Sequence, residues 1–228
     1  MPTVAITGAA GAIGSVTARV FSDAGWQLGL FDYDAEAVDD LRADYPDAYV
    51  AQADLTNMDA ARTAFDGMAE QHEAPHAVLA IAGGFAMQAA TEATDADYAH
   101  MMDLNMRTLF NTARAALPHM QSHSESFLLG VSAPAAEGGA ARTGLYAASK
   151  AAVAAYLKSL HAELHSTGVR VSTLYPMGVV DTPANREAMP EGDPSTWIAP
   201  HELAETMLHA ATRTARGHIQ ALKVYAAT

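Results

Sequence analysis

Thr3–Ser15, TVAITGAAGAIGS, decides the fold. An apolar, β-branched run, Thr3–Thr7, passes straight into a loop carrying Gly8, Gly11 and Gly14, and the loop opens into an alanine-rich stretch. Glycines between a strand and a helix allow a tight turn and let backbone N–H groups approach a pyrophosphate at the positive end of the helix. A second apolar run ends at Asp32, 18 residues after Gly14, where an acid can accept the hydroxyls of an adenosine ribose. No Gly-Lys-Ser/Thr follows, which argues against a Walker-type NTPase. Asp32 repels a 2′-phosphate and the loop carries no Arg or Lys, so NAD(H) is expected over NADP(H).

Outward from this unit, short β-type runs alternate with alanine-rich helical stretches, the pattern of repeated βαβ units around a parallel sheet. Strands are predicted over Thr3–Thr7, Gln27–Phe31, Ala48–Gln52, Ala77–Ala82, Ser126–Val131, Val169–Leu174 and Ile219–Tyr225. Helices are predicted over Ala12–Ala24, Ala35–Asp44, Asn57–Gln71, Asp95–His119, Thr143–Ser166 and Pro200–Thr214, with Pro75 and Pro118 at helix stops. The expected architecture is α/β: one Rossmann-like domain over residues 1–228, a doubly wound parallel seven-stranded sheet with helices on both faces. Its ligand crevice falls at the C-terminal ends of the strands.

Composition narrows the partners. Thirteen basic residues against 26 acidic ones give a formal charge of −13, which disfavours nucleic acid and anionic membrane surfaces. With no cysteine, disulfides, thiolate metal sites and Cys nucleophiles are excluded. No apolar run approaches the roughly 18 residues of a membrane span. MPTVAITG lacks the layout of a signal peptide, so a cytoplasmic location is expected.

Leu145–Val153, LYAASKAAV, places Tyr146 four residues before Lys150 in a strongly helical context. Residues i and i+4 share a helix face, so phenol and ammonium point the same way. A phenol of pKa about 10 is inert at neutral pH; a neighbouring cation lowers that value and fits it for general acid/base work. His119/His123 and His161/His165 share the i, i+4 spacing, which can hold a metal, but no H-E-x-x-H or carboxylate cluster accompanies them, and no metal is expected. Gly130-Val131-Ser132 is followed by Ala133-Pro134, which breaks the G-x-S-x-G of a hydrolase elbow.

In this order, the loop, Asp32, Asp54, Ala82-Gly83-Gly84, Asn105 and the Tyr146/Lys150 pair make the chain resemble the short-chain dehydrogenase/reductase family over nearly its whole length. The resemblance implies a cofactor site built from Gly8, Ala10, Gly11, Ala12, Ile13, Gly14, Asp32, Tyr33, Asp54, Leu55, Ala82, Gly83, Gly84, Tyr146, Lys150, Pro176 and Thr182. Within it Asp54 meets the adenine, the Ala82–Gly84 turn flanks the adenosine side, and Thr182 meets the carboxamide. Lys150 binds the nicotinamide ribose and depresses the Tyr146 pKa, while Asn105 holds a water in a proton relay to Lys150. It also implies a small-molecule substrate and a homodimer or homotetramer assembled through Asp95–His119 and Thr143–Ser166.

The chain departs from the family pattern in four places. The glycine loop has Ala12 where a glycine is usual, with Gly11 displaced by one. The turn after the fourth strand reads AIAG, without asparagines. Met177 separates Pro176 from Gly178. The position thirteen residues before Tyr146, where the resemblance implies a catalytic serine, is Ala133; Ser132 is the candidate replacement. IAGGF, the small residue at 133 and DTPANREAMPEGDPSTW are similar to dihydropteridine reductases, which reduce a quinonoid dihydropterin with NADH and dispense with the serine. The resulting expectation is a hydride-transferring oxidoreductase acting on a small C=O or C=N substrate. The alternative is a non-catalytic NAD(H) sensor. Val180–Trp197, rich in Pro, Gly and charge, reads as a loop and short helix that closes over the substrate.

Overall fold

The structure, a computed structural model, describes residues 1–227. The strands are β1 (Thr3–Thr7), β2 (Gln27–Asp32), β3 (Tyr49–Gln52), β4 (Ala77–Ala80), β5 (Ser126–Val131), β6 (Val169–Met177) and β7 (Ala221–Tyr225). They form one parallel sheet of order β3-β2-β1-β4-β5-β6-β7. The helices are α1 (Ala12–Asp23), α2 (Ala35–Asp44), α3 (Met58–Gln71), α4 (Asp95–Met102), α5 (Thr108–Met120), α6 (Gly144–Leu164), α7 (Pro183–Ala188) and α8 (Pro200–Ala211).

Strand alternation divides the core between the two faces. Val4 and Ile6, Ala77 and Leu79, and Phe127 and Leu129 pack with Phe21 of α1 and Leu203 and Met207 of α8. Their neighbours Ala5, Val78 and Leu128 pack with Phe65 of α3, Leu109 and Ala113 of α5 and Leu157 of α6. Because both faces are covered, the central strands read as continuous apolar runs. Arg170 of β6 is buried; its two terminal guanidinium nitrogens donate to the carbonyls of Ala210 and Ala211 at 3.1 and 3.0 Å, while its Nε has no partner. Those carbonyls end α8, so the cation meets the negative end of the helix.

The chain runs outward from β1 to β3, then crosses to β4 on the other side of β1. This reversal opens a crevice beyond Thr7 and Ala80, whose Cα atoms are register partners. The Ala82 N–H donates to Thr7 Oγ1 across it at 3.2 Å.

Several expected boundaries move by one to three residues, β4 ending at Ala80 and α8 at Ala211 among them, and three differences have a physical cause. The predicted helix Asp95–His119 is interrupted by a π-helical turn, Asp103–Arg107, a feature that hydrophobic period does not encode. Pro118 lies inside the last turn of α5 rather than beyond it; so near the end, the missing N–H costs one hydrogen bond and the chain stays helical for two more residues. Pro176 lies within β6, not after it. Pairing with β5 ends at Leu174, whereas β7 pairs on to Met177, so Pro176 occupies an edge-like stretch that tolerates a missing donor. Among the described residues no helix is long and apolar enough to cross a membrane.

Gly14 is fixed by the closeness of the loop to α1: a Cβ there would lie 2.0 Å from the Gly8 carbonyl oxygen. Gly14→Ala is expected to destabilise the fold by about 2 kcal/mol or more, lowering Tm by roughly 4–8 °C for a chain of this size, as calorimetry would measure.

Candidate active site

The glycine loop supplies an anion site. Gly11 caps α1 without a side-chain hydrogen bond, and no acid stands in the first turn of that helix. The first N–H groups of a helix have no intrahelical partner, so here they face the crevice with neither a capping side chain nor a repelling charge. This is what a bound pyrophosphate requires. Asp32, at the end of β2, is buried and ties the loop to the sheet: Oδ2 accepts from Ala10 N–H at 2.9 Å and Oδ1 from Tyr33 N–H at 2.8 Å. The Tyr33 ring beside it is exposed.

Beyond β3, Asp54 is exposed and accepts from the Thr56 N–H and hydroxyl at 2.9 and 2.7 Å, an Asx turn. Leu55 is buried, and its carbonyl accepts from Asn111 Nδ2 at 2.9 Å. Asn111 also donates to Thr56 O at 3.0 Å, so this buried amide on α5 holds the whole turn. Sequence reasoning missed it, although a polar residue on the otherwise apolar inner face of a helix was a visible signal.

Around Lys150 the elements converge. The side chain is 6% exposed, and Nζ donates to the Val131 carbonyl at the end of β5, 3.0 Å away. A Cβ on Gly83 would lie 3.2 Å from Nζ and 2.7 Å from Asn105 Oδ1, so only glycine lets turn, amide and ammonium meet. Asn105, in the π-helical turn, is buried and clamps the turn from both sides. Its Oδ1 accepts from Gly84 N–H at 3.0 Å, and its Nδ2 donates to Gly84 O at 3.0 Å and Ser149 Oγ at 3.2 Å. Ser149 in turn donates to Tyr146 O at 2.8 Å. Ser149, between the two reactive positions, is a second member that sequence reasoning overlooked.

Burial acts on both reactive groups. It lowers Lys150 from its ordinary 10.5 to about 8 and pushes Tyr146 up to about 12. The expected depression of the Tyr146 pKa by Lys150 therefore does not hold in the ligand-free chain: desolvation dominates, and the phenol is a neutral donor at physiological pH.

Ser132 does not fit the role of the missing serine. It is 2% exposed, and its hydroxyl donates to the Lys150 carbonyl at 2.8 Å, which commits its only proton to the backbone of α6. Ala133 is buried and offers no hydroxyl. Thr182 caps α7, accepting from Asn185 N–H at 3.2 Å. The segment after it returns to pair with the chain just before it through the isolated parallel bridge Val180↔Ile198, outside the sheet. The histidine pairs are engaged elsewhere: His119 with Asp66 at 2.8 Å, His123 stacked on His76 and His161 on His218. No group of three or more potential metal ligands occurs among the described residues.

Two expectations test this geometry. Ser132→Ala should cost about 1 kcal/mol of stability for the lost hydrogen bond, while kcat stays within about threefold of wild type. Lys150→Met should raise the stability of the ligand-free protein at pH 7 by roughly 1–2 kcal/mol, since a desolvated charge is removed. The folded pKa of about 8 lies below the unfolded 10.5, so the unfolded chain holds the extra proton between them. Wild-type stability from this group therefore rises across that window, and the advantage of the variant should fade there in denaturant titrations.

Comparison with known proteins bears on the family and the fold. Sulfoacetaldehyde reductase 2 of Chromohalobacter salexigens is 29% identical over 184 residues, covering 78% of this chain and 73% of the relative. An uncharacterized oxidoreductase of Staphylococcus aureus (strain USA300) is 25% identical over 221 residues, covering 96% and 94%. Two solved structures share the fold. An NADPH-bound short chain oxidoreductase from Pseudomonas aeruginosa PAO1, described as containing an atypical catalytic center, gives a TM-score of 0.89 at 20% identity, covering 98% of this chain and 95% of that one. A 3-ketoacyl-(acyl-carrier-protein) reductase from Brucella melitensis complexed with NADH gives 0.87 at 21% identity, covering 98% and 96%. Residues 2–192 match the family model for short chain dehydrogenase, and the chain belongs to that family of oxidoreductases.

Proposed function

We propose that the protein is an NADH-preferring reductase of a small C=O or C=N substrate, with Tyr146 as the general acid. The observation that carries this reading is the junction at Gly83, where the Lys150 ammonium and the Asn105 amide converge on a glycine turn at the crevice. The bare helix end after Gly11 would hold the pyrophosphate and Asp32 the adenosine ribose, with Tyr33 and Leu55 beside it and Asp54 at the adenine. Gly83, Gly84 and Lys150 would hold the nicotinamide ribose, with Pro176 and Thr182 at the carboxamide. A nicotinamide dinucleotide bound there supplies a hydride.

The chain provides the proton. A phenol near 12 keeps its hydrogen at neutral pH and donates it to the heteroatom as charge develops there, a contribution of about 10²–10⁴-fold. Lys150 is the neighbouring proton source, and the π-helical turn at Asn105 the place for a relay water. Positioning of the substrate in the crevice adds to the rate. Preference for NADH rests on the Asp32 carboxylate, with Asp34 two residues on and no basic residue in the loop. Self-association through α5 and α6 belongs to the same reading; an exposed Phe110 with Arg114 stacked over it, 5.0 Å from the ring centroid, supports it.

The absence of a hydroxyl at Ala133, together with the committed Ser132, favours a second reading of the substrate. A carbonyl needs a donor to polarise it, whereas a conjugated imine system such as a quinonoid dihydropterin has less need of one.

Fluorescence titration with NADH and NADPH is expected to give a micromolar Kd for NADH and clearly weaker binding of NADPH; the reverse order would overturn the preference. Tyr146→Phe should lower kcat by at least about 10²-fold with NADH affinity retained. A near-normal kcat would remove Tyr146 from the mechanism. NADH binding without turnover of any carbonyl or imine would return the sensor reading.

A further inference from the structure

The glycine turn at the crevice ends on an aromatic side chain. Gly83 leaves room for Lys150 and Asn105 and Gly84 for the Leu104 side chain, and Phe85 is the first bulky group beyond them. Its ring stands edge-on to that of Tyr146, with centroids 4.8 Å apart and planes at 84°. Edge-to-face geometry uses only part of each ring, and Phe85 remains 57% exposed. Met87, two residues on, is 49% exposed. Large apolar groups left open beside a reactive phenol mark a binding surface rather than unfinished core.

The ring is held in place. The Gln88 N–H donates to the Arg142 carbonyl at 2.7 Å, tying the Phe85 loop to the segment just ahead of Tyr146. Arg142 accepts this with a φ of 65°, a conformation that non-glycine residues adopt rarely and at a cost, most often where function demands it. Its guanidinium lies 3.9 Å from Glu92 at the far end of the same loop.

Charge narrows what can bind. Between Ile81 and Thr94 the only charged residue is Glu92. The arginines of the flanking segments already face carboxylates: Arg142 faces Glu92, and Arg186 meets Asp181 through two bonds of 2.6 and 2.8 Å. Apart from Lys150, which is buried and held on the Val131 carbonyl, these segments offer an apolar aromatic face and no unpaired cation for an anionic substrate.

We propose that Phe85 is a specificity-determining residue whose open face takes a planar, uncharged, conjugated ring of the substrate, setting the adjacent C=O or C=N beside the Tyr146 hydroxyl. The inference rests on the reductase reading above and adds the class of substrate: flat ring-bearing ketones or imines in preference to small aliphatic or anionic aldehydes.

The test compares 1-phenylpropane-1,2-dione with pentane-2,3-dione, which share the reacting dione and differ in the ring. NADH-dependent turnover is measured for wild type, Phe85→Ala and Phe85→Trp. Calorimetric binding of each dione to NAD+-saturated protein is measured alongside, so that the comparison does not depend on turnover. Wild type should favour the phenyl dione. Phe85→Ala should weaken its KM or Kd by about 5- to 10-fold, the scale of one aromatic contact, while the alkyl dione and NADH stay within about twofold. Phe85→Trp should restore the phenyl preference. Equal loss on both diones, no loss on either, or no restoration by Trp overturns the inference. A wild type that binds NADH yet shows no preference overturns it while leaving the reductase reading intact. A wild type that binds neither dinucleotide overturns both.

Discussion

An ammonium taken out of water at the head of α6 is the constraint on which the site depends. Burying a charge is costly unless it is paired or hydrogen-bonded, and among the described residues Lys150 has no carboxylate partner, its Nζ donating to the carbonyl of Val131 at 3.0 Å. The sheet supplies that acceptor because β5 ends just where α6 begins its second turn over it. The Ser132 hydroxyl on the Lys150 carbonyl and the Asn105 amide on Ser149 fasten the same turn of α6 from two further elements. The stability lost in holding the lysine there is recovered across α6, whose inner side from Val153 to Leu164 is core. A positive charge is thus stored where a bound dinucleotide and a developing oxyanion would both bring negative charge.

Much of this was legible in the sequence because the physics that sets it is local. A strand running into glycines and then a helix has few ways to fold, and the strand over Thr3–Thr7 and the helix over Ala35–Asp44 match their predicted bounds. Tyr146 and Lys150 share a helix face for the same reason. The π-helical turn at Asp103–Arg107 was not legible, because an extra residue in a helical turn leaves no periodic trace in an alanine- and methionine-rich stretch. Nor was the fate of Ser132. One residue decides which way a side chain leaves the end of a strand, and Ser132 and Ala133 are neighbours; only the packed structure shows the hydroxyl turned to the backbone of α6. The Tyr146 pKa was misjudged for a related reason: spacing reports the nearby cation, whereas burial is a property of the assembled fold.

The missing serine and the aromatic turn belong together. Where the family resemblance implies a hydroxyl, the chain has the methyl of Ala133, and where it implies asparagines before the turn, it has Ala80 and Ile81. Both changes remove hydrogen-bonding groups from the crevice, and Phe85 adds an apolar face beside the phenol. A site of this kind selects by shape and ring contact more than by polarising a carbonyl.

The bridge between Val180 and Ile198 has a consequence of its own. Ile198 N–H donates to Val179 O and Asp181 N–H to Ile198 O, each at 2.8 Å, so the stretch between is closed at its base by two main-chain bonds, joined by one from Asn185 Nδ2 to Val180 O at 2.8 Å. Main-chain pairing does not read side chains, and loop length costs little once the ends are joined. Beyond Thr182, the stretch from Pro183 to Trp197 thus hangs from a closed base, where changes of length or sequence to suit a substrate would leave the register of the sheet untouched.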